Sequence, residues 1–331
     1  MQHPTGRDHN VNDTLDYTPD IRGLVPIPFH ERELPTATAK PYFKVASGND
    51  VALEGPVFDR DGNLLFVDIY SGRILCLTPD RQLTVISSDP DLHPGGLAIH
   101  KDGRIFVAAL GALNRKGRFD AGLVVAMNPD GSDRQVIVSP ETGHAIDDMV
   151  FDSEGGFYFS DFLGSSTQAS GGIFYVPPDF SDIVPVIPHM CAANGVALSP
   201  DGKVLWATEY ALNRLHRVEL EAPGVMGRHA SSVPYHFTGR APDSMRTDSD
   251  GNVYVALNWQ GRILVLNSYG IPIGQILLPG RESGMYLKST SLALMPGSRD
   301  LLIVARDVLG SGGSMIFSAR GFAEGFNVFD I

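Results

Sequence analysis

Cysteine is scarce in this 331-residue sequence, and its scarcity limits how the fold can be held together. The two cysteines, Cys76 and Cys191, do not make a disulfide framework, and no metal-ligand spacing of His or Cys surrounds them. The chain is instead long enough to bury a large hydrophobic core.

Basic residues are also in short supply. The chain has 26 Lys and Arg against 38 Asp and Glu, which gives a formal net charge of −12 at pH 7. That charge disfavours a phosphate-backbone partner, and no basic stripe with interleaved aromatic residues offsets it. The sequence therefore predicts no nucleic-acid partner.

Long apolar runs are missing as well. No stretch approaches the roughly 20 apolar residues that cross a membrane, and the first residues contain no apolar signal-peptide core. We therefore expect no membrane partner and, by default, a cytoplasmic location. The sequence carries no indication of the number of subunits.

Helix signals are nearly absent, and a repeated strand pattern is present in their place. In residues 194–210 a polar residue opens an alternating apolar run, which ends in an Asp-Gly turn before a second apolar run. Alternation is typical of a strand with one buried face, and Asp-Gly between two such runs predicts a β-hairpin.

The hairpin pattern occurs six times along the chain. Its turn glycines are Gly62, Gly103, Gly155, Gly202, Gly251 and Gly297. Successive glycines are between 41 residues (62 to 103) and 52 residues (103 to 155) apart. A period in this range, with several short strands per repeat, is typical of a β-propeller with one blade per repeat. The predicted fold is therefore all-β, a six-bladed β-propeller.

The repeat places the domain boundaries. Residues 36–331 are predicted to form a single propeller domain, and residues 1–35 form a polar N-terminal arm that is either disordered or an extended strap. Residues 42–45 resemble a strand. Because a propeller must close its ring, we expect this strand to pair with the blade formed near the C-terminus.

One position in the repeat is enriched in oxygen donors. It lies eight residues before each turn glycine and is occupied by Glu54, Gly95, Asp147, Asn194, Asp243 and Ser289. Equivalent positions of a radial repeat lie on one ring, and the first strand of each blade lines the central channel. Oxygen donors without His or Cys suit a hard cation, so the pattern predicts a central metal site for Ca²⁺, with other divalent cations as alternatives.

A cation on this ring has two interpretations. With Glu54, Asp147, Asn194 and Asp243 as ligands, Ca²⁺ would keep positions open for water and for the carbonyl of an ester or lactone. A ring carboxylate would then serve as the general base, although the residues alone do not select which one. Alternatively, the cation is structural and only neutralises carboxylates that would otherwise repel each other.

Two long loops and one histidine lie near the ring position. The basic loop at 111–122 and the Ser/Gly-rich loop at 163–172 both follow second strands, at the end of the blade where the ring residues lie. They either roof the site or are plain surface loops. His144, three residues before Asp147, either reaches the pocket or lies on the surface.

Several segments around the ring positions resemble the family of senescence marker protein, gluconolactonase and luciferin-regenerating enzyme. They are Leu-Glu-Gly-Pro (53–56), Ile-Asp-Asp-Met-Val-Phe-Asp (146–152), Ala-Asn-Gly-Val-Ala-Leu (193–198), Asn-Arg-Leu-His-Arg (213–217) and Pro-Asp-Ser-Met (242–245). The resemblance runs from about residue 30 to the end of the chain.

The resemblance implies a calcium-dependent lactonase, a hydrolase acting on a small-molecule lactone or ester. It implies that Glu54, Asp147, Asn194 and Asp243 hold the metal, that Ser244 adds a backbone oxygen, and that Asp243 is the catalytic proton donor or acceptor. Candidate residues of the substrate pocket are His144, Phe162, Tyr210 and Met245. Alternatives are an aryl-ester or organophosphate hydrolase, a biosynthetic enzyme on the same propeller, or a non-catalytic propeller.

A relative within this family carries a second, peripheral calcium near the stretch that matches 119–144. Asp120 and Thr142 are the candidate ligands for it here. Ser139 stands where a carboxylate is expected, and the loop at 119–122 differs from the family pattern. We therefore expect the second metal site to be altered or lost.

Overall fold

The computed structural model describes residues 24–115, 118–327 and 329. In these residues, six sheets are each built around an antiparallel meander of three or four consecutive strands. Helix is limited, within the same residues, to 3-10 turns at Phe29–Glu31, Pro140–Thr142, Tyr210–Leu212 and Arg281–Ser283. The all-β prediction is confirmed.

The strands follow one another as four-stranded repeats. Two strands precede the repeats, β1 (Thr36–Thr38) and β2 (Lys40–Ala46). Blades 1 to 3 comprise β3 (Leu53–Phe58), β4 (Leu64–Asp68), β5 (Arg73–Leu77), β6 (Leu83–Ser88); β7 (Pro94–Ile99), β8 (Ile105–Ala109), β9 (Leu123–Met127), β10 (Gln135–Val138); and β11 (Ile146–Phe151), β12 (Phe157–Asp161), β13 (Gly171–Val176), β14 (Val184–Met190). Blades 4 to 6 comprise β15 (Ala193–Leu198), β16 (Val204–Glu209), β17 (Arg214–Ala222), β18 (Val225–His236); β19 (Pro242–Thr247), β20 (Val253–Leu257), β21 (Arg262–Leu266), β22 (Pro272–Leu277); and β23 (Lys288–Leu294), β24 (Asp300–Asp307), β25 (Gly313–Arg320).

The first strands of the six blades form a closed ring. β3 contacts β7, β7 contacts β11, and the series continues through β15, β19 and β23 back to β3. These inner strands surround the axis, as a propeller requires. We call the end of the channel where they begin the upper end, and the other the lower end. The six-bladed prediction is confirmed.

The turns between first and second strands explain why each repeat begins with a hairpin. Gly62 and Gly202 have φ values of 77° and 68°, a left-handed conformation that glycine adopts without steric cost. Asp59 also accepts hydrogen bonds at Oδ1 from the backbone N–H groups of Asp61 and Asn63, at 2.9 and 2.8 Å. The Asp-rich segments are therefore hairpin turns stabilised by their own side chains.

The hydrophobic core lies between the blades. One cluster packs Leu65 and Val67 of blade 1 against Leu97 and Val107 of blade 2. Five similar clusters fill the other interfaces, and the last joins blade 6 to blade 1. Each sheet is thus buried on both faces, so the ring can be rigid without a disulfide; Cys76 and Cys191 are both free thiols.

The N-terminal segment closes the ring at two places. β2 pairs antiparallel with β25 of blade 6, with Lys44 opposite Met315, which confirms the predicted closure by this strand. β1 pairs in parallel with β22 of blade 5. Residues 36–46 therefore join blades 5 and 6 to each other.

A strap formed by residues 24–35 precedes β1 and packs on blade 5. Glu31 is 2% exposed and forms an ion pair with Arg262, which is 1% exposed. The hydroxyl of Tyr235 donates a second hydrogen bond to Glu31. Arg281 binds the carbonyl oxygen of Val25 at 2.6 Å. This part of the predicted arm is an ordered strap, whereas residues 1–23 lie outside the described residues.

The C-terminal segment covers the lower end of the channel. Phe326 and Asn327 line a cavity of about 170 Å³ whose walls are the ends of the inner strands. Phe329 packs on Phe151 with ring centroids 5.7 Å apart. Above this cavity, Arg246 of blade 5 binds Asp148 of blade 3 at 2.9 Å, across the channel.

None of the helices in the described residues has the length and hydrophobicity needed to cross a bilayer.

Candidate functional site

A break in strand pairing turns the ring residues toward the axis. The pairing register shifts in each of the six inner strands, between Glu54 and Val57, Pro94 and Gly96, Ile146 and Met149, Ala193 and Val196, Pro242 and Met245, and Ser289 and Ser291. A β-bulge leaves a residue unpaired and redirects its side chain. The ring position lies at the bulge in each blade, and the carboxyl groups of Glu54, Asp147 and Asp243 are near enough to act on one another's charge.

Glycines let the inner strands approach closely around the ring. A Cβ added to Gly195 would lie 2.7 Å from the carbonyl oxygen of Asp243, and one added to Gly95 would lie 2.7 Å from Oδ1 of Asp147. Any side chain at these positions would collide with the neighbouring blade. The glycines therefore bring side chains from separate blades into one small volume.

Blades 2 and 6 contribute no axial ligand from the predicted ring. Gly95 has no side chain. Ser289 is fully buried, and its hydroxyl donates to the carbonyl oxygen of Leu257 at 2.9 Å and accepts from the N–H of Arg262 at 3.1 Å. This hydroxyl joins blades 5 and 6. The remaining donors come from blades 1, 3, 4 and 5.

Three carboxyl groups at the ring are close enough to repel one another. Burial raises the pKa of Glu54 well above its usual value, and the negative charges of Asp243 and Asp147 raise it further. Burial, followed by the charge of Asp243, has the same effect on the pKa of Asp147. The pKa of Asp243 is raised by burial to about 7, although hydrogen bonds and the charge of Lys288 oppose the rise. The protein thus holds three acids that strongly favour neutralisation.

Two amide side chains hold the carboxylate of Asp243. Asn258 donates from Nδ2 to Oδ2 of Asp243, and Asn194 also hydrogen-bonds this carboxylate. The Oδ1 atoms of both amides are buried and have no hydrogen-bond partner. Such orphaned oxygens are rare in folded proteins and call for a ligand or water.

The donor set fits a hard divalent cation, although its acids are not already gathered into a complete cage. In residues 24–115, 118–327 and 329, no group of three or more His, Cys, Asp or Glu side chains that could hold a metal ion is found. The orphaned Asn194 oxygen and the mutual repulsion of Glu54, Asp147 and Asp243 are both conditions that a cation would relieve. All of the donors are oxygens, as Ca²⁺ prefers. Ser244 follows Asp243 within the same bulge and places its Oγ 3.5 Å from Oε2 of Glu54.

Aromatic residues surround the upper end of the channel. Phe162 and Tyr210 are half-buried and meet edge to face, with ring centroids 5.5 Å apart. Burial raises the pKa of the Tyr210 hydroxyl to about 12, and the charges of Asp243 and Asp147 contribute to the rise. Tyr210 therefore lies within electrostatic range of the ring, and its place in a substrate pocket stays a prediction.

The side chains of His144 and Met245 are both engaged by the walls of the blades. Nδ1 of His144 binds Oδ2 of Asp161 at 2.7 Å, and its ring packs on Phe174 with centroids 4.4 Å apart. Met245 is fully buried in the core between blades 4 and 5. Both residues contact the walls of the blades, so their described contacts are structural ones.

The predicted second metal site is not assembled. Asp120 is exposed and accepts a hydrogen bond from Nδ2 of Asn114 at 2.6 Å. The hydroxyl of Thr142 donates to the carbonyl oxygen of Ser139 at 2.8 Å. The two predicted ligands thus have separate local partners.

The two long loops lie on the upper face. Gly122, at the end of the basic loop, donates its N–H to the carbonyl oxygen of His144 at 2.6 Å, next to the start of β11. In the other loop, the hydroxyl of Ser166 reaches the carbonyl oxygen of Ala211 in blade 4 at 3.2 Å. Both loops are therefore placed beside the channel opening.

Sequence reasoning named Phe162 and Tyr210 for the pocket but missed Tyr70, Trp259, Asn258 and Lys288, although the repeat contains a signal for the two aromatic residues. Aromatic residues stand seven or eight positions after the turn glycine in four blades, as Tyr70, Phe162, Tyr210 and Trp259. These positions follow second strands, which run antiparallel to the inner strands and end at the upper face. Asn258 precedes Trp259, and Lys288 begins β23 with its Nζ 4.3 Å from the Trp259 ring centre.

Comparison with known proteins agrees with this architecture. Residues 53–290 match the family model described as the SMP-30/gluconolactonase/LRE-like region. The chain is 46% identical to "Lactonase drp35" of Staphylococcus saprophyticus over 322 residues, which cover 96% of this chain and 98% of the relative. It is 44% identical to "Lactonase drp35" of Staphylococcus aureus over 319 residues, covering 96% and 97%.

A solved structure with low sequence identity has the same fold. The calcium-binding protein regucalcin of Agrobacterium tumefaciens superposes with a TM-score of 0.71 at 19% identity, and the match covers 88% of this chain and 98% of regucalcin. The family match spans most of the propeller, and the sequence relatives match nearly end to end. This chain is a member of the SMP-30/gluconolactonase/LRE-like family.

Proposed function

We propose that this protein is a calcium-dependent lactone hydrolase whose general acid and base is Asp243. The observation that carries the proposal is the electrostatic coupling of the buried carboxyl groups of Glu54, Asp147 and Asp243, together with the hydrogen bond of Asn194 to Asp243. A ring carboxylate beside the reacting water can accept its proton and return it to the leaving oxygen.

The substrate class rests on the relatives. Proteins that carry the name lactonase are 44–46% identical to this chain along almost its whole length. The substrate is therefore a small-molecule lactone, a cyclic ester whose hydrolysis gives a hydroxy acid.

In this proposal the ring residues are the metal ligands. Glu54, Asp147, Asn194 and Asp243 would hold the cation, with a backbone oxygen of Ser244. A bound Ca²⁺ supplies Lewis-acid polarisation of the ester carbonyl and charge stabilisation of the developing oxyanion. The orphaned oxygen of Asn194 and the raised pKa values of the acids support this assignment.

Asp243 acts first as the general base and then as the general acid of the reaction. Its carboxylate accepts a proton as water forms a bond to the carbonyl carbon, and its carboxylic acid returns the proton to the ring oxygen as the ester C–O bond breaks. Asn258 holds Oδ2 in a fixed position during both steps. The half-buried rings of Phe162 and Tyr210 exclude bulk water from one side of the opening.

The test is hydrolysis of a panel of γ- and δ-lactones by the wild type and by Asp243→Asn. We expect wild-type turnover that disappears on chelation and returns with Ca²⁺, and a loss of at least a hundredfold in Asp243→Asn. Asp250→Asn, in the exposed turn of the same blade, is the matched control and should keep wild-type activity.

Two results would reject the assignment. Full activity in Asp243→Asn, with an unchanged melting temperature, would remove Asp243 from the mechanism. A calcium-dependent melting temperature without any lactone turnover would favour a structural cation. A phosphotriester and an aryl ester included in the panel would show whether a different ester is preferred.

A further inference from the structure

A group of positive charges lies at the opening of this otherwise acidic protein. Lys288 interacts electrostatically with Arg306, with Asp243 and with Arg240. Arg240 is exposed just before β19 and also acts on Tyr210. Three cations from blades 5 and 6 thus share one side of the upper face. We call them the basic rim.

The basic rim is not neutralised by the chain. Among the described residues, no Asp or Glu forms a salt bridge with Arg240, Lys288 or Arg306. Arg306 is engaged by neutral groups, since it donates to the carbonyl oxygen of Asn49 at 3.2 Å and to the Tyr70 hydroxyl at 3.1 Å. The ammonium group of Lys288 lies above the face of Trp259, with Nζ 4.3 Å from the ring centre.

Compensation of the ring acids does not account for all three cations. A divalent ion on Glu54, Asp147 and Asp243 would leave only one negative charge at the ring. Lys288, which interacts with Asp243, would by itself balance that charge. Arg240 and Arg306 then remain in excess, so the opening attracts anions.

We propose that the natural substrate is a lactone with an anionic substituent, a carboxylate or a phosphate, which binds to Lys288 and Arg240 while the lactone ring stacks on Trp259. This inference rests on the function proposed above and specifies its substrate class. Arg306, fixed by Tyr70 and Asn49, supports the charge without being free to move onto the ligand.

The test compares two γ-lactones that differ only in charge, 5-oxotetrahydrofuran-2-carboxylate and its carboxamide. We expect the wild type to prefer the carboxylate through a lower KM. In Lys288→Met, the ratio of kcat/KM for the carboxylate to kcat/KM for the carboxamide should fall at least tenfold. It should fall further in the double variant that also carries Arg240→Gln. Lys203→Met, which removes an exposed lysine at the lower end, should leave the ratio unchanged.

The same comparison separates the sources of the anion. Glucono-δ-lactone and its 6-phosphate form a second pair, and the larger charge preference identifies the natural substituent. An equal preference in wild type and variants for both pairs would overturn the inference. If Lys288 acts only through Asp243, its replacement should slow hydrolysis of both lactones of a pair equally and leave the ratio of their kcat/KM values unchanged. That result would also overturn the inference.

A binding measurement keeps the inference independent of turnover. The lactam 6-oxopiperidine-2-carboxylate contains an amide in place of the ester, and 2-piperidone lacks the charge. We expect calorimetry to show binding of the carboxylate lactam to the wild type and at least tenfold weaker binding to Lys288→Met. Equal binding to both proteins would overturn the basic-rim assignment, whereas absence of lactone turnover with intact lactam binding would overturn only the hydrolase.

Discussion

Asn258 determines the charge state of Asp243 more directly than any other neutral residue. Its Nδ2 donates to Oδ2 of Asp243, and this hydrogen bond is the leading influence that opposes the rise in pKa caused by burial. A hydrogen bond to a charged group stabilises the ionised form by about 1.5–3 kcal/mol. Each 1.36 kcal/mol corresponds to about one pKa unit.

Replacement of Asn258 by Ala should therefore raise the pKa of Asp243 by about one to two units. Because the base is the ionised form, the acid limb of the pH profile of kcat/KM should move to higher pH by that amount. The measurement is a pH–rate profile on a neutral lactone in excess Ca²⁺. Asn128→Ala, which changes a half-buried turn asparagine in blade 2, should leave the profile in place. A profile in Asn258→Ala that coincides with the wild type would show that this contact does not control the base.

At the level of single residues, the sequence pointed to the ring position because the repeat is regular there. Glu54, Asp147, Asn194 and Asp243 follow from counting back from a turn glycine, because the bulge recurs at one height. Met245 alternates with Asp243 in sequence, yet the bulge turns its side chain into the core. A one-dimensional pattern does not show this change of direction.

The strap is the element whose stability depends most on one buried contact. Glu31 and Arg262 are almost fully buried and are held by each other and by Tyr235. Removal of one charge from such a pair leaves the other unpaired in the interior, at a cost of about 3–5 kcal/mol.

Glu31→Gln should lower the free energy of unfolding by about 3–5 kcal/mol, because Arg262 keeps its charge in a buried position. Glu33→Gln, two residues along on the exposed side of the strap, should change it by less than about 0.5 kcal/mol. Chemical denaturation followed by fluorescence measures both. Equal stability of the two variants would show that the strap is not anchored by this ion pair.

Elements with a local pattern were the ones that sequence reasoning located. The strand at 42–45 alternates, and its pairing with the last blade follows from the need to close the ring. β1 is only Thr-Ala-Thr, and its parallel partner in β22 is far away in sequence. The order of the strap depends likewise on Arg262, which no local pattern connects to Glu31.

On the scale of the whole molecule, the buried ring acids lower the free energy of unfolding when no metal is bound. The pKa of Glu54 is raised well above the unfolded value of about 4.3, mainly by burial and then by Asp243 and Asp147. The folded state therefore holds a proton that the unfolded state releases. Without metal, this loss of free energy of unfolding is absent near pH 4 and grows as the pH rises toward the pKa of Glu54 in the folded state.

Glu54→Gln should consequently have opposite effects in the absence and presence of calcium. In chelator at pH 7–8, the variant should melt at a higher temperature than the wild type, because the protonation cost is gone. In excess Ca²⁺ it should melt at a lower temperature, because a ligand is lost; at a hundred times Kd the wild type gains about 2.7 kcal/mol.

The control for this experiment is Glu219→Gln, whose side chain is 62% exposed. It should follow the wild type under both conditions. Scanning calorimetry at pH 5 and pH 8 would complete the test, since the advantage of Glu54→Gln in chelator should be smaller at pH 5. A destabilised variant in both media would argue against a cation at the ring.

The propeller itself was the most predictable feature, because six copies of one hairpin leave few architectures open. The opening was the least predictable, since it is built from the ends of second strands and from loops. Lys288 belongs to the weakest copy of the repeat, and it contacts Trp259 of another blade. Such contacts exist only after the ring has closed.

Closure by β1 and β2 also has a consequence for biosynthesis. These two strands are translated before the blades, whereas their partners, β22 and β25, are translated after the first four blades. During the intervening elongation they remain as unsatisfied edges, the kind of surface that invites aggregation or holdase chaperones. The ring of the nascent polypeptide therefore cannot close until β25 has been synthesised.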